Sequence, residues 1–426
     1  AFFYNFVMSI TKIYKYMRKN NEFFRSKFLR LSTRFLVSVA SVSSLLLPAS
    51  CSDDDNVSPE VTKKNPTTFI KDAEKVAMLR SMKDVDGSGR LYEINYTADY
   101  KLDDVLKSGF TETNQLFNYV AYLLYDSLPG KKAQVSFDAG CSAFAVPDRQ
   151  SGNFLMGRNY DFCHATEDGK GYKSIAAIIV HTAPEGGKKS ISMVDGMQLG
   201  FGQGFYTDGK SDLSPLMGLP YAALDGINED GFAIGVLALR ENQTKQNDKN
   251  KPRIGTTTAI RMLLDRASTV KEALAMLAGY NMDMQGSGRS NYHYFMADAT
   301  GDYAIVEYTL EKGETIPTVM EKFTGNDTLR CVTNFYVSPT MVGTNDGWGS
   351  LHGKERYWTL RDSLARNNYC LDSEQAMSLL HAVSQPADLK NITSQTQWSC
   401  LYNLSEKTLR LAILREYGKT YNFKVE

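Results

Sequence analysis

Gly140-Cys141-Ser142-Ala143-Phe144, followed by Leu155-Met156-Gly157-Arg158-Asn159-Tyr160-Asp161-Phe162, decides the reading of this chain. A thiol directly follows a flexible glycine, and one hairpin later a guanidinium and a carboxylate arrive on a second strand. A free cysteine, with a pKa of about 8.5, is only a few per cent thiolate at neutral pH and needs a base or a cation to act as a nucleophile. If the Gly140–Cys141 peptide bond is cut, Cys141 gains an α-amino group whose pKa of about 8 lets it take the thiol proton. Arg158 then favours the thiolate as a permanent cation, and Asp161 holds the amino group by a charge-assisted hydrogen bond. The expectation is a cysteine that becomes a chain terminus by self-cleavage and then attacks amides.

Cys141 followed by Gly157-Arg158-Asn159-Tyr160-Asp161 resembles the signature of the N-terminal-nucleophile cysteine amidases. Within them it is similar to the choloylglycine hydrolase and linear amide C–N hydrolase family. That family includes bile salt hydrolases and penicillin V acylases, with acyl-coenzyme A:6-aminopenicillanate acyltransferases and acid ceramidase-like enzymes as relatives. Further similar segments follow in order: Leu219-Pro220 with Asp225 to Phe232, Tyr294 to Gly301 with Ile305-Val306-Glu307, Val332 to Phe335, and Glu355-Arg356-Tyr357. The resemblance implies an α+β fold, the four-layer αββα sandwich of N-terminal-nucleophile hydrolases, with Cys141, Arg158, Asp161, Asn334 and Arg356 as catalytic residues. Asn334 would serve the oxyanion hole and Arg356 would be a second active-site arginine. One position departs from the pattern. Where bile salt hydrolases carry an active-site Asn and penicillin V acylases a Tyr, this chain has Ala238, so only a backbone N–H could contribute there.

The remaining sequence places this unit in an exported protein. Of the 426 residues, 42% are hydrophobic, enough for a sizeable core, and the formal net charge is zero. The first 50 residues carry eight Lys or Arg against one Glu, which leaves 40 basic against 47 acidic residues in the rest. No basic cluster suited to phosphate binding stands out, so nucleic acid is not an expected partner. Basic residues from Arg18 to Arg34 precede an apolar run from Phe35 to Leu47 that is too short to span a membrane. Leu47-Pro48-Ala49-Ser50-Cys51 then resembles a bacterial lipoprotein box, and Ser52-Asp53-Asp54-Asp55 an acidic tether of Gram-negative surface lipoproteins. The competing reading is an ordinary cleaved signal. The division read from sequence is residues 1–50 as export signal, 51–66 as lipidated Cys51 and tether, 67–140 as pro-segment or small subunit, and 141–426 as catalytic domain.

Leu91–Tyr96 reads as a strand and Tyr119–Leu128 as an apolar helix stopped by Pro129-Gly130. After Cys141, strands alternate with a few helices, two of them marked by Thr269 with Glu272 and by Asp372 with Gln375. Asp84 to Leu91 matches half of a calcium loop but lacks its closing Glu, since Asn95 stands there, and reads as a turn. Gly200 to Phe205 reads as an aromatic lip over an acyl pocket. Cys163 and His164, adjacent on a strand, read as structural. No metal-ligand spacing is found, and no cofactor is implied.

The resulting expectation is an exported, membrane-anchored amidohydrolase for linear amides of N-acyl compounds: N-acyl amino acids, bile salts, fatty acid amides or penicillin V-like substrates. The alternatives are an acyltransferase on the same residues and a non-catalytic, lipid-anchored binding protein.

Overall fold

A computed structural model describes residues 64–129, 140–166, 168–240, 244–284, 290–311, 319–325, 329–341, 353–390 and 394–426. The export signal, Cys51 and most of the tether lie outside the described residues. In chain order the elements are α1 (Ala73–Leu79), β1 (Lys83–Asp84), β2 (Leu91–Tyr96), α2 (Leu102–Ser108), α3 (Thr113–Leu124), β3 (Gly140–Pro147), β4 (Phe154–Asp161), β5 (Ala177–Thr182) and β6 (Ser190–Asp195). There follow β7 (Ala223–Asn228), β8 (Ala233–Arg240), β9 (Arg253–Ile254), α4 (Thr256–Arg266), α5 (Val270–Ala278), β10 (Asn281–Met282), β11 (Ser290–Ala297), β12 (Tyr303–Thr309) and β13 (Val319–Phe323). The last are β14 (Cys331–Val332), α6 (Gly353–Arg366), α7 (Ser373–Ala382), β15 (Thr396–Asn403), β16 (Thr408–Ile413) and β17 (Tyr421–Lys424).

Two sheets carry the molecule: nine strands in the order β1-β2-β5-β6-β7-β8-β11-β12-β13, and six in the order β14-β3-β4-β15-β16-β17. Met156, Tyr160, Trp398 and Tyr402 of the smaller sheet share one core with Ile191, Met193 and Val236 of the larger, which puts the sheets face to face. On the outer side of the smaller sheet Phe144, Val146, Leu155 and Leu401 meet Leu360, Leu364, Leu379 and Leu380 of α6 and α7. On the outer side of the larger sheet α4 is tied down by the Asn228 side chain, which donates to Leu264 O and Ala267 O. Arg261 of α4 donates to Ser190 Oγ of β6. The layers are therefore helix, sheet, sheet, helix.

The Gly-Arg-Asn-Tyr-Asp run shows how one strand addresses three layers. Successive strand residues point to opposite faces. Arg158 and Tyr160 face the larger sheet, Tyr160 stacking on Trp398 at 4.1 Å between centroids and donating its hydroxyl to Asp195 Oδ2 of β6 at 2.9 Å. Asn159 faces the helices and donates to Leu380 O at 2.8 Å. Gly157 lies under the ring of Phe144, which a Cβ would approach to 2.5 Å.

The segment before Cys141 is part of this architecture. β2 pairs parallel with β5, and its Leu91, Tyr92, Ile94 and Tyr96 are buried. All described residues fall within one compact unit, Val61–Glu426. Helix α3 starts earlier than its apolar run suggested, because Glu112 caps it through Asn114 N and Gln115 N. It also stops well before Pro129: Tyr125 is extended and the Asp126 carboxylate turns away to accept from Lys71 N and Asp72 N. Asp372 and Gln375 form the expected reciprocal cap of α7. At α5, Thr269 caps Glu272 N, while Glu272 reaches one residue further back, to Ser268 N.

The half calcium loop is a turn. Asp84 accepts from Gly87 N and Gly89 N, and Asp86 from Ser88 and Tyr421. The glycine-rich stretch docks on that turn through Gly204 N to Gly89 O at 2.9 Å. Its Phe201 and Phe205 are buried in the core and stack 4.4 Å apart, so they serve packing between β2 and its neighbours instead of forming an open lip.

Gly157→Ala should destabilise the chain by about 1–3 kcal/mol through overpacking against Phe144, and Phe144→Leu added to it should recover part of that loss. Urea midpoints of the single and double variants measure both.

Candidate active site

β3 and β4 pair in register, Cys141 opposite Tyr160 and Gly140 opposite Asp161. This sets the Cys141 side chain between the sheets, where it has no exposed surface. Arg158, two residues before Tyr160, emerges on the same face and places Nη2 3.4 Å from Cys141 Sγ. Its guanidinium lies directly on Gly235 of β8, where a Cβ would stand 2.7 Å from Cδ and Nε. The ladder between β7 and β8 ends at Asp225 and Gly235, and beyond that point β8 turns backbone carbonyls toward the cysteine. Val236 O accepts from Arg158 Nη2 at 2.7 Å, and Ala238 O accepts from Asn334 Nδ2 at 2.8 Å.

Asn334 and Arg356 approach from the other side. Cys141 N donates to Asn334 Oδ1 at 2.7 Å. Arg356, on α6, donates from Nη1 to Cys141 O at 2.6 Å and from Nη2 to Asn334 Oδ1 at 2.8 Å. The same Nη1 lies 3.3 Å from Asp161 Oδ2. Asp161 also accepts from Thr396 Oγ1 at 2.6 Å and Gln385 Nε2 at 2.9 Å. All five residues expected at the site are therefore brought together around Gly140 and Cys141. In the uncut chain the Cys141 amide is held by Asn334, and the Asp161 carboxylate faces the helix layer.

Burial dominates the electrostatics. It pushes the Cys141 thiol up to about 11, with Arg158 pulling the other way and the Asp161 charge adding to the rise. Burial also raises Asp161, against the lowering influence of Arg356, Thr396 and Gln385. It lowers Arg356, opposed by Asp161.

Asp225 is the member of the site that motif reading missed. Its Oδ2 lies 2.5 Å from Arg158 Nη1, with both side chains fully buried. It also accepts from Trp398 Nε1 at 3.1 Å, from the Tyr402 hydroxyl, and from Cys400 Sγ at 3.6 Å. Asp225 opens the Asp225 to Phe232 segment that carries the family resemblance, but its partner sits on another sheet. Thr396 and Gln385 carried no signal at all. Cys163 is buried, and His164 pairs with Asp195 Oδ2 at 2.6 Å, so the two form no dyad. The five cysteines from Cys141 onward are free thiols.

Residues 148–414 match the family model described as acyl-coenzyme A:6-aminopenicillanic acid acyl-transferase, a span well over half the chain. The chain belongs to that family. Its helix, sheet, sheet, helix layers agree with the four-layer αββα arrangement expected from the sequence. The match takes in Arg158, Asp161, Asn334 and Arg356 and begins after Cys141. Among solved structures, a mutant of conjugated bile acid hydrolase from Clostridium perfringens is 16% identical, with 67% of this chain and 92% of that one covered at a TM-score of 0.44. Penicillin V acylase from Agrobacterium tumefaciens is 18% identical, with 64% and 83% covered at 0.41. No curated protein sequence matches the chain.

Within this acyl-transferase family member, removing one partner of the buried Arg158–Asp225 pair should be costly. Asp225→Ala is expected to lose about 3–5 kcal/mol of stability. Arg158→Met combined with Asp225→Leu should restore much of the urea midpoint while leaving the chain inactive.

Proposed function

We propose that this chain is an exported amidohydrolase that cleaves linear amides of small N-acyl compounds, using Cys141 as a nucleophile freed by cleavage of the Gly140–Cys141 bond. One observation carries the reading: three separate buried side chains converge on the three polar atoms of a single residue. Arg158 addresses the Cys141 thiol at 3.4 Å, Asn334 its nitrogen at 2.7 Å and Arg356 its carbonyl oxygen at 2.6 Å. A buried structural thiol has no need of such an arrangement.

The electrostatics support a two-stage life for the residue. Burial pushes the thiol up to about 11 in the uncut chain, so at pH 7 it is held as the unreactive thiol. Cutting the bond supplies the missing base as the new α-amino group, which takes the thiol proton as Sγ attacks the amide carbon. The oxyanion is met by the second hydrogen of Asn334 Nδ2, whose first goes to Ala238 O, and by the Ala238 backbone N–H. Each such donor is worth roughly 3 kcal/mol. The α-ammonium then protonates the departing amine, and water releases the acyl group from the thioester. Arg158 and Asp161 position and charge the new terminus, and Arg356 supports it.

Cys51 as a lipidated residue and a location at a Gram-negative cell membrane belong to the same proposal, supported by the sequence around Leu47 to Asp55. Among the described residues no helix is long and apolar enough to cross a membrane. The family description favours a second reading, acyl transfer, in which an acceptor other than water takes the thioester. Competing amine or thiol acceptors in the assay would divert product from the free acid in that case, and leave hydrolysis unchanged in the other.

Intact-mass analysis of the purified chain is expected to show a fragment beginning at Cys141, and Cys141→Ala a single uncut species without turnover. An unaltered chain that hydrolyses its amide while remaining whole would overturn the reading. Because β2 is buried beside β5, the fragment ending at Gly140 should co-elute with the larger one in size-exclusion chromatography and separate only in denaturant.

A further inference from the structure

The segment that presents Asn334 lies past the edge of the smaller sheet. β14 ends at Val332, and the chain from Thr333 to Met341 then runs against β8, β11 and β12, where Tyr336 and Met341 pack with Leu239. A short loop in that place has no ladder to fix it. What fixes it is a pair of fully buried residues on the neighbouring strands β11 and β12, His293 and Glu307, joined at 3.0 Å between Nδ1 and Oε1. His293 Nε2 meets Thr333 O at 2.7 Å. Glu307 accepts from Val337 N through Oε1 at 2.8 Å and from Ser338 N through Oε2 at 2.9 Å.

The hydrogen bonds define who donates. A carbonyl only accepts, so Nε2 carries a hydrogen toward Thr333. The other hydrogen bonds of the pair go to the loop backbone before and after Asn334. Thr333 extends the hold to the next element, its Oγ1 donating at 2.7 Å to Gly353 O, the first residue of the helix that carries Arg356.

We infer that His293 and Glu307 are positioning residues for Asn334, clamping the backbone on both sides of it so that its amide meets Cys141 N and Arg356. They touch neither the cysteine nor, on this geometry, any reacting atom; they act through Asn334. The effect on turnover rests on the amidase reading above, whereas the mechanical coupling between His293 and Asn334 does not.

A double-mutant cycle on the full chain tests this, with acyl-glycine, acyl-taurine, acyl-ethanolamine and phenoxyacetyl amides as substrates. His293→Ala is expected to lower kcat about 100-fold with KM changed less than about threefold, the signature of a displaced transition-state group. His293→Gln, which keeps an N–H for Thr333 O, should recover to within about tenfold of the unaltered chain. In an Asn334→Ala background the same His293→Ala change should alter kcat less than about threefold, because the residue it serves is gone. Equal losses in both backgrounds would overturn the inference. If the unaltered chain hydrolyses none of the four amides, the amidase reading fails, and the cycle is then read in urea midpoints. There, non-additive losses support the clamp and additive losses overturn it. Should His293→Ala not fold, His293→Gln and Glu307→Gln take its place in the same cycle, with the same two outcomes deciding.

Discussion

A buried ion pair between two sheets is the constraint on which this molecule turns. Arg158 projects from β4 and Asp225 from β7, at 2.5 Å with no exposure on either side. Two charges removed from water must be paired closely and have their remaining hydrogen-bonding capacity used, or the fold loses several kcal/mol. The interior meets that demand in part, leaving the buried Arg158 Nε without a hydrogen-bond partner. Gly235 clears the space for the guanidinium, Val236 O takes one of its hydrogens, and Trp398 and Tyr402 complete the carboxylate. With the arginine so fixed, the Nη2 that donates to Val236 O also faces Cys141 Sγ. The interaction that aligns the sheets is also the one that puts a cation beside the thiol.

The second constraint is on the far side of the cysteine. Arg356, Asn334 and Asp161 come from three different parts of the chain and form one hydrogen-bonded cluster around the Cys141 backbone. Burial works against the charges of Arg356 and Asp161, so both are held by their partners. This makes the surrounding shell, Thr396, Gln385 and the His293–Glu307 pair, as much a part of the site's geometry as the residues that touch the cysteine.

Local chemistry made the elements legible in the sequence. Leu91–Tyr96 is the strand its alternation describes, and the cap of α7 is the one spelled by Asp372 and Gln375. The residues around Cys141 were legible because they stand in short motifs whose order survives in the chain. Asp225 was not recognised as a member of the site, since its meaning depends on Arg158 lying opposite it across an interface no local pattern records. Glu307 ends one of the segments that carry the family resemblance and His293 directly precedes another, yet their role needs the loop after β14 to fold back over them. The extent of α3 differs from its apolar run for a similar reason. Its cap is Glu112 and its end is set by Asp126 reaching Lys71 and Asp72, while Pro129 stands beyond it.

Among the described residues, the one parallel junction in the larger sheet, β2 on β5, has a topological consequence. Parallel neighbours must be linked by a crossover, and here the route between them passes through Gly140 and the β3–β4 hairpin of the opposite sheet. Scission at that glycine would sever the crossover itself, leaving two interleaved polypeptides with no covalent memory of their arrangement. Reassembly after unfolding would become a bimolecular search in place of a tethered one. Such a molecule would persist by the slowness of its opening, with a native state defended by rate more than by equilibrium.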